Sequence, residues 1–323
     1  MKVLCFGSLN IDNVYSVDHF VRKGETLSSL GLEIFTGGKG LNQSVALAKA
    51  GAETYHAGSI GPDGQFLLET MKQAKVHTEY VSLLPDARTG NAIIQRDREG
   101  DNCILLYGGT NQMITEEQVY EVLSHFEAGD YLVLQNEINN LPCIVRQAHD
   151  KGMVIVLNPS PMDGKILQLP LKDIDILMLN EIEAGQILNA FGAGDKEAYP
   201  SPDPSGTQTA WETVSESNRR LASALRHVFP DSLIVLTLGS DGSGCIGREG
   251  SFCQPIYKVP VADTTAAGDT YTGYFIAGLI RGRSLQEAMK YASAASAIAV
   301  SREGAAPSIP AEEEVERFLA GRK

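Results

Sequence analysis

The chain has 323 residues, of which 43% are hydrophobic and 21% are charged. This composition is typical of a folded globular protein and excludes a disordered, collagen-like or coiled-coil chain. Acidic side chains outnumber basic ones by 40 to 27, giving a formal net charge of -13. Because such a surface repels nucleic acids and anionic lipids, neither is an expected partner.

The location and the redox state of the chain follow from two further features. No apolar run approaches the ~20 residues of a membrane helix, and the N-terminus lacks the cleavage region of a signal peptide. The five cysteines are scattered without a CxxC pair, so we expect free thiols rather than disulfides or zinc ligands. The sequence therefore predicts a cytoplasmic protein.

Strand-like and helix-like segments alternate along the chain. Short, nearly continuous apolar runs predict strands buried on both faces of a parallel sheet, at residues 3–6, 132–134, 154–157, 174–179 and 233–238. Helical periodicity predicts helices at residues 41–50, 65–74, 116–126, 141–151, 181–191 and 213–228. This alternation predicts an α/β fold with a doubly wound, mostly parallel sheet and helices on both faces.

Two stretches interrupt this alternation, at about residues 13–36 and 89–107, and we interpret them as a small separate β-sheet. Such a sheet would cover the strand ends as a lid on a single domain spanning residues 1–323. Its exposed edges would need covering, which predicts a homodimer formed through the lid. The Gly-, Pro- and Ser-rich segment 192–208 is typical of a surface loop.

The segment Gly37-Gly38-Lys39-Gly40-Leu41-Asn42-Gln43 lies between a predicted lid strand and a helix. Its glycines permit positive φ and close approach of the backbone to a ligand, and a helix N-terminus attracts anions and hydroxyl oxygens. The pattern GxxxxGK[ST] of a P-loop does not occur in the sequence. The alternative interpretation is a tight turn with a solvated lysine.

A second motif, Asp263-Thr264-Thr265-Ala266-Ala267-Gly268-Asp269-Thr270, precedes a helix. Its small residues leave backbone amides uncovered, so we expect the amides of Ala266, Ala267 and Gly268 to form an anion hole. Asp269 stands in the first helical turn, where a carboxylate is stabilised and can accept a proton from a hydroxyl group. The alternative is that the threonines and Asp269 only cap the helix.

Polar residues also follow several predicted strands, and in doubly wound folds ligands bind at the carboxyl ends of strands. Each residue alone fits a cap or a turn, whereas together they predict one crevice. They are Asn10, Asp12, Glu137, Asn180, Glu183 and the segment 239–244.

The segments GGKGLNQ at 37–43, DTTAAGDT at 263–270 and LNEIEA at 179–184 resemble the signatures of the ribokinase-like, or PfkB, carbohydrate kinases. The resemblance extends over essentially the whole chain, and three separated motifs in the right order make it specific. It implies an ATP-dependent sugar kinase in which Asp269 deprotonates the sugar hydroxyl, while the amides from Ala266 to Gly268 hold the phosphoryl group. Magnesium and potassium are the implied cofactors.

The resemblance also implies a role for individual residues. The implied sugar contacts are Asn10, Asp12, Gly38, Lys39, Asn42, Ala92, Ile94, Glu137 and Asp269. The implied nucleotide contacts are Asn180, Thr237, Gly239, Asp241, Gly242, Gly268 and Ser293. Potassium is assigned to Asp263, Thr265, Gly304 and Ser308, and magnesium indirectly to Glu183.

The sugar-contact residues support D-ribose, phosphorylated at its 5-hydroxyl, as the expected substrate. One departure from the family is Leu41, which stands where a small residue is usual and is expected to face the substrate turn. Another pentose or deoxyribose is the alternative substrate, and a non-catalytic sugar sensor is the alternative from another class. A dinucleotide-dependent oxidoreductase is disfavoured because Gly7-Ser8-Leu9-Asn10 replaces GxGxxG after the first strand.

Overall fold

The computed structural model describes residues 1–193, 211 and 214–322. Its strands are β1 (Val3–Phe6), β2 (Asn10–Ser16), β3 (Gly31–Gly37), β4 (Thr54–Ile60), β5 (His77–Leu83), β6 (Gly90–Arg96), β7 (Asn102–Tyr107), β8 (Tyr131–Gln135), β9 (Val154–Asn158), β10 (Ile176–Asn180), β11 (Leu233–Thr237), β12 (Ser243–Gly247) and β13 (Gly250–Gln254). Its helices are α1 (Lys39–Lys49), α2 (Gln65–Gln73), α3 (Glu116–Ser124), α4 (Leu141–Lys151), α5 (Glu181–Ala190), α6 (Glu216–Val228), α7 (Ala267–Ile280), α8 (Leu285–Val300) and α9 (Glu312–Ala320).

In the described part of the chain, nine strands form a large sheet in the order β13-β12-β11-β10-β9-β8-β1-β4-β5. The strands from β11 to β5 in this order pair in parallel, and β12 and β13 add an antiparallel edge. The carboxyl ends of the parallel strands therefore meet along one edge of the sheet, where ligands bind in such folds.

Strand β1 shows why this sheet is buried on both faces. Its four side chains are all 0% exposed and alternate between two hydrophobic clusters. Leu4 and Phe6 belong to the cluster that contains α3 to α6, whereas Val3 and Cys5 belong to the cluster that contains α1, α7 and α8. The predicted doubly wound α/β architecture is confirmed.

A separate small sheet has the order β3-β2-β6-β7, with β2 and β6 parallel and the other pairs antiparallel. Its strands come from the two stretches that interrupt the alternating pattern, so the expected additional sheet is confirmed. Strand β2 starts at Asn10, close behind the end of β1 at Phe6. The small sheet is thereby attached at the carboxyl end of β1, an interior strand of the large sheet.

Four strands of the large sheet were not predicted from the sequence. In β4 and β5, polar residues such as His56 and Ser59 interrupt the apolar pattern, although both are 0% exposed. Strands β12 and β13 form an edge hairpin whose pattern is too mixed to be recognised. Residues 194–208 of the predicted loop and residue 213 of a predicted helix lie outside the described residues. None of the described helices combines the length and apolarity required to span a bilayer.

Candidate active site

The glycine-rich turn between β3 and α1 packs directly against the chain that leaves β1. Gly38 has φ +93°, which favours glycine, and α1 begins at Lys39. A Cβ atom at Gly40 would lie 2.4 Å from the backbone nitrogen of Ser8, so only glycine permits this approach. The amide of Leu41 donates to the carbonyl of Ser8 at 3.0 Å. The turn therefore holds the start of α1 against the segment that follows β1, and it is also a candidate ligand-binding loop.

The expectation that Leu41 faces the substrate turn is wrong. Its side chain is 0% exposed and packs in the hydrophobic cluster beneath α1, with Val3 and Cys5. Position 41 in the helix points toward the sheet, since its face is set by helical periodicity. This departure from the family pattern consequently affects core packing rather than ligand contact.

Two carboxylates, Asp12 and Glu137, form the predicted sugar side of the site. Glu137 Oε2 accepts a hydrogen bond from the amide of Lys39 at 2.9 Å and another from the hydroxyl of Ser8. Burial raises the pKa of Glu137 above its ordinary value, against the opposing charge of Lys39. Burial, and then the nearby charge of Glu137, raise the pKa of Asp12 to about 7. Such a pair favours ligands that donate hydroxyl groups.

The small sheet brings the other predicted sugar contacts together by register. Asp12 in β2 pairs with Ala92 in β6, and Val14 pairs with Ile94, so Asp12, Ala92 and Ile94 share one face. Asn10 is buried, and its Oδ1 accepts from the side-chain amide of Asn111 at 2.8 Å. Asp12 of β2 and the apolar Ala92 and Ile94 of β6 thus form one surface that offers both polar and apolar contacts.

Asp269 lies in the first turn of α7, 6% exposed, where the partial positive charge of the helix end stabilises a carboxylate. Its Oδ2 accepts from the side-chain amide of Asn42 at 3.0 Å, and its Oδ1 from that of Gln43 at 2.9 Å. Helix α7 packs closely against α1 because Gly273 has no side chain. A Cβ at this position would lie 2.4 Å from the Cβ of Ala46. Two neighbouring residues of the glycine-rich motif thereby hold both oxygens of the candidate base.

The turn predicted to form the anion hole differs from the expectation at one amide. Ala266 adopts a left-handed conformation with φ +58°, which is unusual for a residue with a side chain, and precedes the first turn of α7. The amide of Ala267 is not free as expected, because it donates to the carbonyl of Thr264 at 3.2 Å. Gly268 and Asp269 occupy the following helical positions, whose amides have no acceptor within the helix.

A cavity of about 240 Å³ opens beside Asp269, at the carboxyl ends of β10 and β11. It is lined by predicted nucleotide and magnesium residues together with the predicted anion hole: Asn180, Glu183, Thr237, Ala266, Ala267 and Gly268. Lys39 also lines it, linking the two halves of the site. Burial alone would lower the pKa of Lys39, but the carboxylates of Asp269, Glu137 and Glu183 raise it. Lys39 is therefore a cation at the centre of the crevice.

Asn180 and Glu183 also have the structural role that the alternative interpretation assigned to them. The side chain of Asn180 accepts from the amides of Ile182 and Glu183, at 2.9 and 2.8 Å. Glu183 Oε2 accepts in return from the amide of Asn180 at 3.0 Å. This capping box fixes the start of α5 and holds both side chains at the wall of the cavity.

Within the described part of the chain, the remaining predicted nucleotide residues do not line this cavity. Gly239 and Gly242 have positive φ in the turn after β11. Asp241 accepts from the backbone amide of Ser215 at 3.2 Å, and Ser293 donates to the carbonyl of Pro255 at 3.4 Å. These residues border the cavity side of the sheet without entering the pocket.

Asp263 is hydrogen-bonded to two of the other predicted potassium residues, Thr265 and Gly304. Its Oδ1 accepts from the amide of Thr265 at 2.8 Å and from the Thr265 hydroxyl at 2.6 Å, and its Oδ2 from the amide of Gly304 at 3.0 Å. Burial raises the pKa of Asp263, but these hydrogen bonds outweigh it and hold the pKa below its ordinary value. Ser308 is buried one turn further on, where its hydroxyl donates to the carbonyl of Ala305 at 2.8 Å.

Sequence reasoning assigned no role to four polar residues: Ser8, Gln43 and Gln135, which do not line the cavity, and Asn158, which does. Ser8 binds Glu137, and the other three form amide contacts that lead to Asp269. Their signal in the sequence is a polar residue within or directly after an apolar run, as in Leu-Val-Leu-Gln at 132–135. That signal is weak, since it also fits an ordinary strand end.

Comparisons with known proteins agree with this geometry. The family model described as pfkB family carbohydrate kinase matches residues 1–312. The chain belongs to this family. It is 33% identical to a protein named ribokinase from Staphylococcus aureus (strain COL), covering 97% of this chain and 98% of that protein.

Solved structures show the same relationship. A ribokinase from Cryptococcus neoformans var. grubii serotype A in complex with ADP has a TM-score of 0.81 and 33% identity, covering 98% of this chain and 99% of that one. A ribokinase from Arabidopsis thaliana complexed with ribose and ATP has a TM-score of 0.79 and 26% identity, with 98% of each chain covered. These similarities extend over nearly the whole fold.

Proposed function

We propose that the protein transfers the γ-phosphoryl group of ATP to the 5-hydroxyl of D-ribose, giving ribose 5-phosphate and ADP. The observation that carries this proposal is the position of Asp269, between a hydroxyl-binding side with Asp12 and a cavity lined by Lys39 and Gly268. The relatives named ribokinase, with complexes containing ADP or ribose and ATP, support the same reaction.

The mechanism requires positioning, charge neutralisation and one base. Asp269 takes the proton of the sugar 5-hydroxyl. The hydroxyl oxygen forms a bond to the γ-phosphorus as the bond between that phosphorus and the leaving ADP oxygen breaks. The amides of Gly268 and Asp269, together with the cation of Lys39, stabilise the charge on the transferring group. The small sheet acts as a lid of the single domain and excludes water, the competing nucleophile.

Sugar recognition is assigned to both walls of the crevice. Asp12 and Glu137 accept hydroxyl hydrogen bonds, and Asn42 presents a buried Oδ1 that has no partner within the described structure. Gly38 leaves space for the sugar, while Ala92 and Ile94 cover its apolar face. Asn10 supports this arrangement through its bond with Asn111.

Magnesium would be held mainly by the phosphates of the nucleotide. The described residues contain no group of three or more potential metal-ligating side chains, which fits an ion that retains several waters and few protein ligands. Glu183 lines the cavity and supplies a carboxylate there, in agreement with an indirect role. When bound, magnesium would neutralise part of the negative charge of the phosphates. Asn180, Thr237, Gly239, Asp241, Gly242 and Ser293 are assigned to the nucleotide.

Potassium activation is proposed at Asp263, Thr265, Gly304 and Ser308. The two turns are tied together by Asp263, so one carboxylate and the carbonyls of both turns form a donor set that suits a weakly hydrated cation. This loop leads directly to Ala266 and the anion hole, so an ion here would fix those amides. We expect turnover to be faster in potassium chloride than in sodium or tetramethylammonium chloride at equal ionic strength.

The Asp263→Ala variant is the companion measurement for potassium. It removes the only side-chain charge of the proposed ion site within the described residues, so the preference for potassium should disappear. Equal rates in all three salts for the unmodified protein would eliminate the site. A preference that persists undiminished in the variant would place the ion elsewhere.

A homodimer is proposed through the lid. One cross-strand row of the small sheet contains Ile34, Ile93 and Leu105, which are 57%, 40% and 68% exposed. Exposed apolar rows and open edge strands are typical of surfaces that pair with a second copy. Light scattering at micromolar concentration should give twice the chain mass, and Leu105→Lys should shift the protein toward the monomer. A monomeric unmodified protein would refute this assembly.

We place this reaction in the cytoplasm, since the five cysteines are free thiols, as expected in a reducing compartment. The experiment that tests the proposed function is a coupled assay of ATP consumption over pentoses, deoxyribose, hexoses and nucleosides. D-ribose should give the highest kcat/KM, with one ADP formed per ribose 5-phosphate. Preference for another pentose or deoxyribose would change the substrate, and sugar binding without ATP consumption would indicate a sensor.

A further inference from the structure

A chain of buried side-chain amides connects Asp269 with the ends of three central strands. Gln43 is 0% exposed, and its Nε2 donates to Asp269 Oδ1 at 2.9 Å and to Asn158 Oδ1 at 3.3 Å. Its Oε1 accepts from Gln135 Nε2 at 2.7 Å. Asn158 in turn donates to the carbonyl of Met178 at 2.9 Å. These hydrogen bonds connect the large sheet to the candidate base.

These contacts determine which way the Gln43 amide is turned. The bond from Gln135 requires the oxygen of Gln43 on one side, and the bonds to Asn158 and Asp269 require its nitrogen on the other. A reversed amide would place an oxygen against the Asp269 carboxylate and lose all three bonds. Gln135 Oε1 has no partner within the described residues, but the Gln43 amide is paired at both its oxygen and its nitrogen, and such pairing specifies one geometry.

Asn42 alone would not fix the carboxylate. It holds Oδ2 of Asp269, while Oδ1 is held by Gln43, so removal of Gln43 frees rotation of the carboxylate about its last side-chain bond. Gln43 is absent from the residues that line the described cavity, so it does not contact a ligand there. Gln43 touches two residues that line the cavity, Asp269 and Asn158, and only an effect that passes through Asp269 must vanish when Asp269 is replaced.

We infer that Gln43 is a positioning residue for phosphoryl transfer: Gln135 and Asn158 hold its amide, and the amide directs the carboxylate of Asp269 toward the acceptor hydroxyl. This inference rests on the proposed function, since it takes Asp269 to be the base. A small displacement of a reacting group is enough to lower the rate by about 10²-fold.

The test variant is Gln43→Met, which keeps the length of the side chain and removes its amide. At saturating sugar and nucleotide we expect kcat to fall about 10- to 100-fold, with both KM values within about threefold of the unmodified protein. A purely structural role would lower the melting temperature without this selective loss of kcat.

Ser44→Ala is the matched control. Ser44 is the next residue of α1, is 0% exposed, and forms a 2.7 Å hydrogen bond with His56 Nδ1. Its loss should lower the melting temperature but leave kcat unchanged, because the hydrogen bond between Gln43 and Asp269 is retained.

A double variant separates this inference from the proposed function. In an Asp269→Asn background, Gln43→Met should cause no further loss of kcat, because the two residues act as a unit. The proposed function itself is overturned if the unmodified protein consumes no ATP in the presence of ribose, whereas near-normal turnover of Asp269→Asn would overturn the assignment of Asp269 as the base. If Asp269→Asn is slow but Gln43→Met lowers kcat by the same factor in both backgrounds, the positioning role is overturned.

Gln135→Met provides the same test if Gln43→Met fails to fold. It leaves the contact between Gln43 and Asp269 but removes the donor that fixes the Gln43 oxygen. We expect kcat to fall about 3- to 10-fold, less than for Gln43→Met, with both KM values little changed. An unchanged kcat in a folded Gln135→Met protein would contradict the inference.

Discussion

The Asp269→Asn variant is expected to lose about 10²- to 10⁴-fold in kcat while binding sugar and nucleotide nearly as the unmodified protein does. The amide keeps the shape of the carboxylate but cannot accept the proton of the attacking hydroxyl. The local structure should tolerate the change, since the oxygen of the new side chain can keep the hydrogen bond from Gln43 and only the contact with Asn42 is altered. Single-turnover kinetics and calorimetry measure the two quantities separately.

Asp130→Asn is a suitable control for this variant. Asp130 is also largely buried, and its carboxylate accepts from the backbone amides of Lys2 at 2.8 Å and Glu127 at 3.1 Å. It lies just before β8, at the amino end of the sheet and away from the cavity. We expect lower stability and an unchanged kcat. Near-normal turnover of Asp269→Asn would show that Asp269 is a helix-capping residue and not the base.

Replacing Asp12 with alanine is expected to weaken sugar binding by about 1 to 3 kcal/mol, or roughly 5- to 150-fold in Kd. The sugar hydroxyls would lose an acceptor in a buried site, whereas the nucleotide cavity does not include Asp12. Calorimetry should therefore show weaker binding of the sugar and unchanged binding of the nucleotide. Asp130→Ala, at the amino end of the large sheet, is the control, and equal sugar affinity in both variants would place the sugar elsewhere.

The affinity for sugar should also depend on pH through Asp12. In the free protein the pKa of Asp12 is raised to about 7, so the carboxyl group is protonated below that value. Hydroxyl donors favour the ionised form, which lowers the pKa in the complex. Sugar affinity should therefore rise as the pH increases toward about 7 and level off above it. Asp12→Asn should lose this dependence, and a flat profile in the unmodified protein would contradict it.

The two main motifs were recognisable from the sequence because their features are local. Gly38 and Gly40 are required by a positive φ and a close backbone approach within one turn, and Asp269 follows small residues at a helix start. Each of these requirements concerns a few neighbouring residues, so spacing alone expresses it. The parallel strands were equally visible, since burial on both faces produces continuous apolar runs.

Which side chains meet was decided by the tertiary structure. Gln43 contacts Gln135, 92 residues away, and Asp269, 226 residues away, and no local pattern encodes such pairs. The inward direction of Leu41 and the occupied amide of Ala267 likewise depend on packing and on the path of one turn. The sequence by itself determined the α/β layering and the candidate base. The amide network that orients that base exists only because the sheet gathers distant strand ends at one edge.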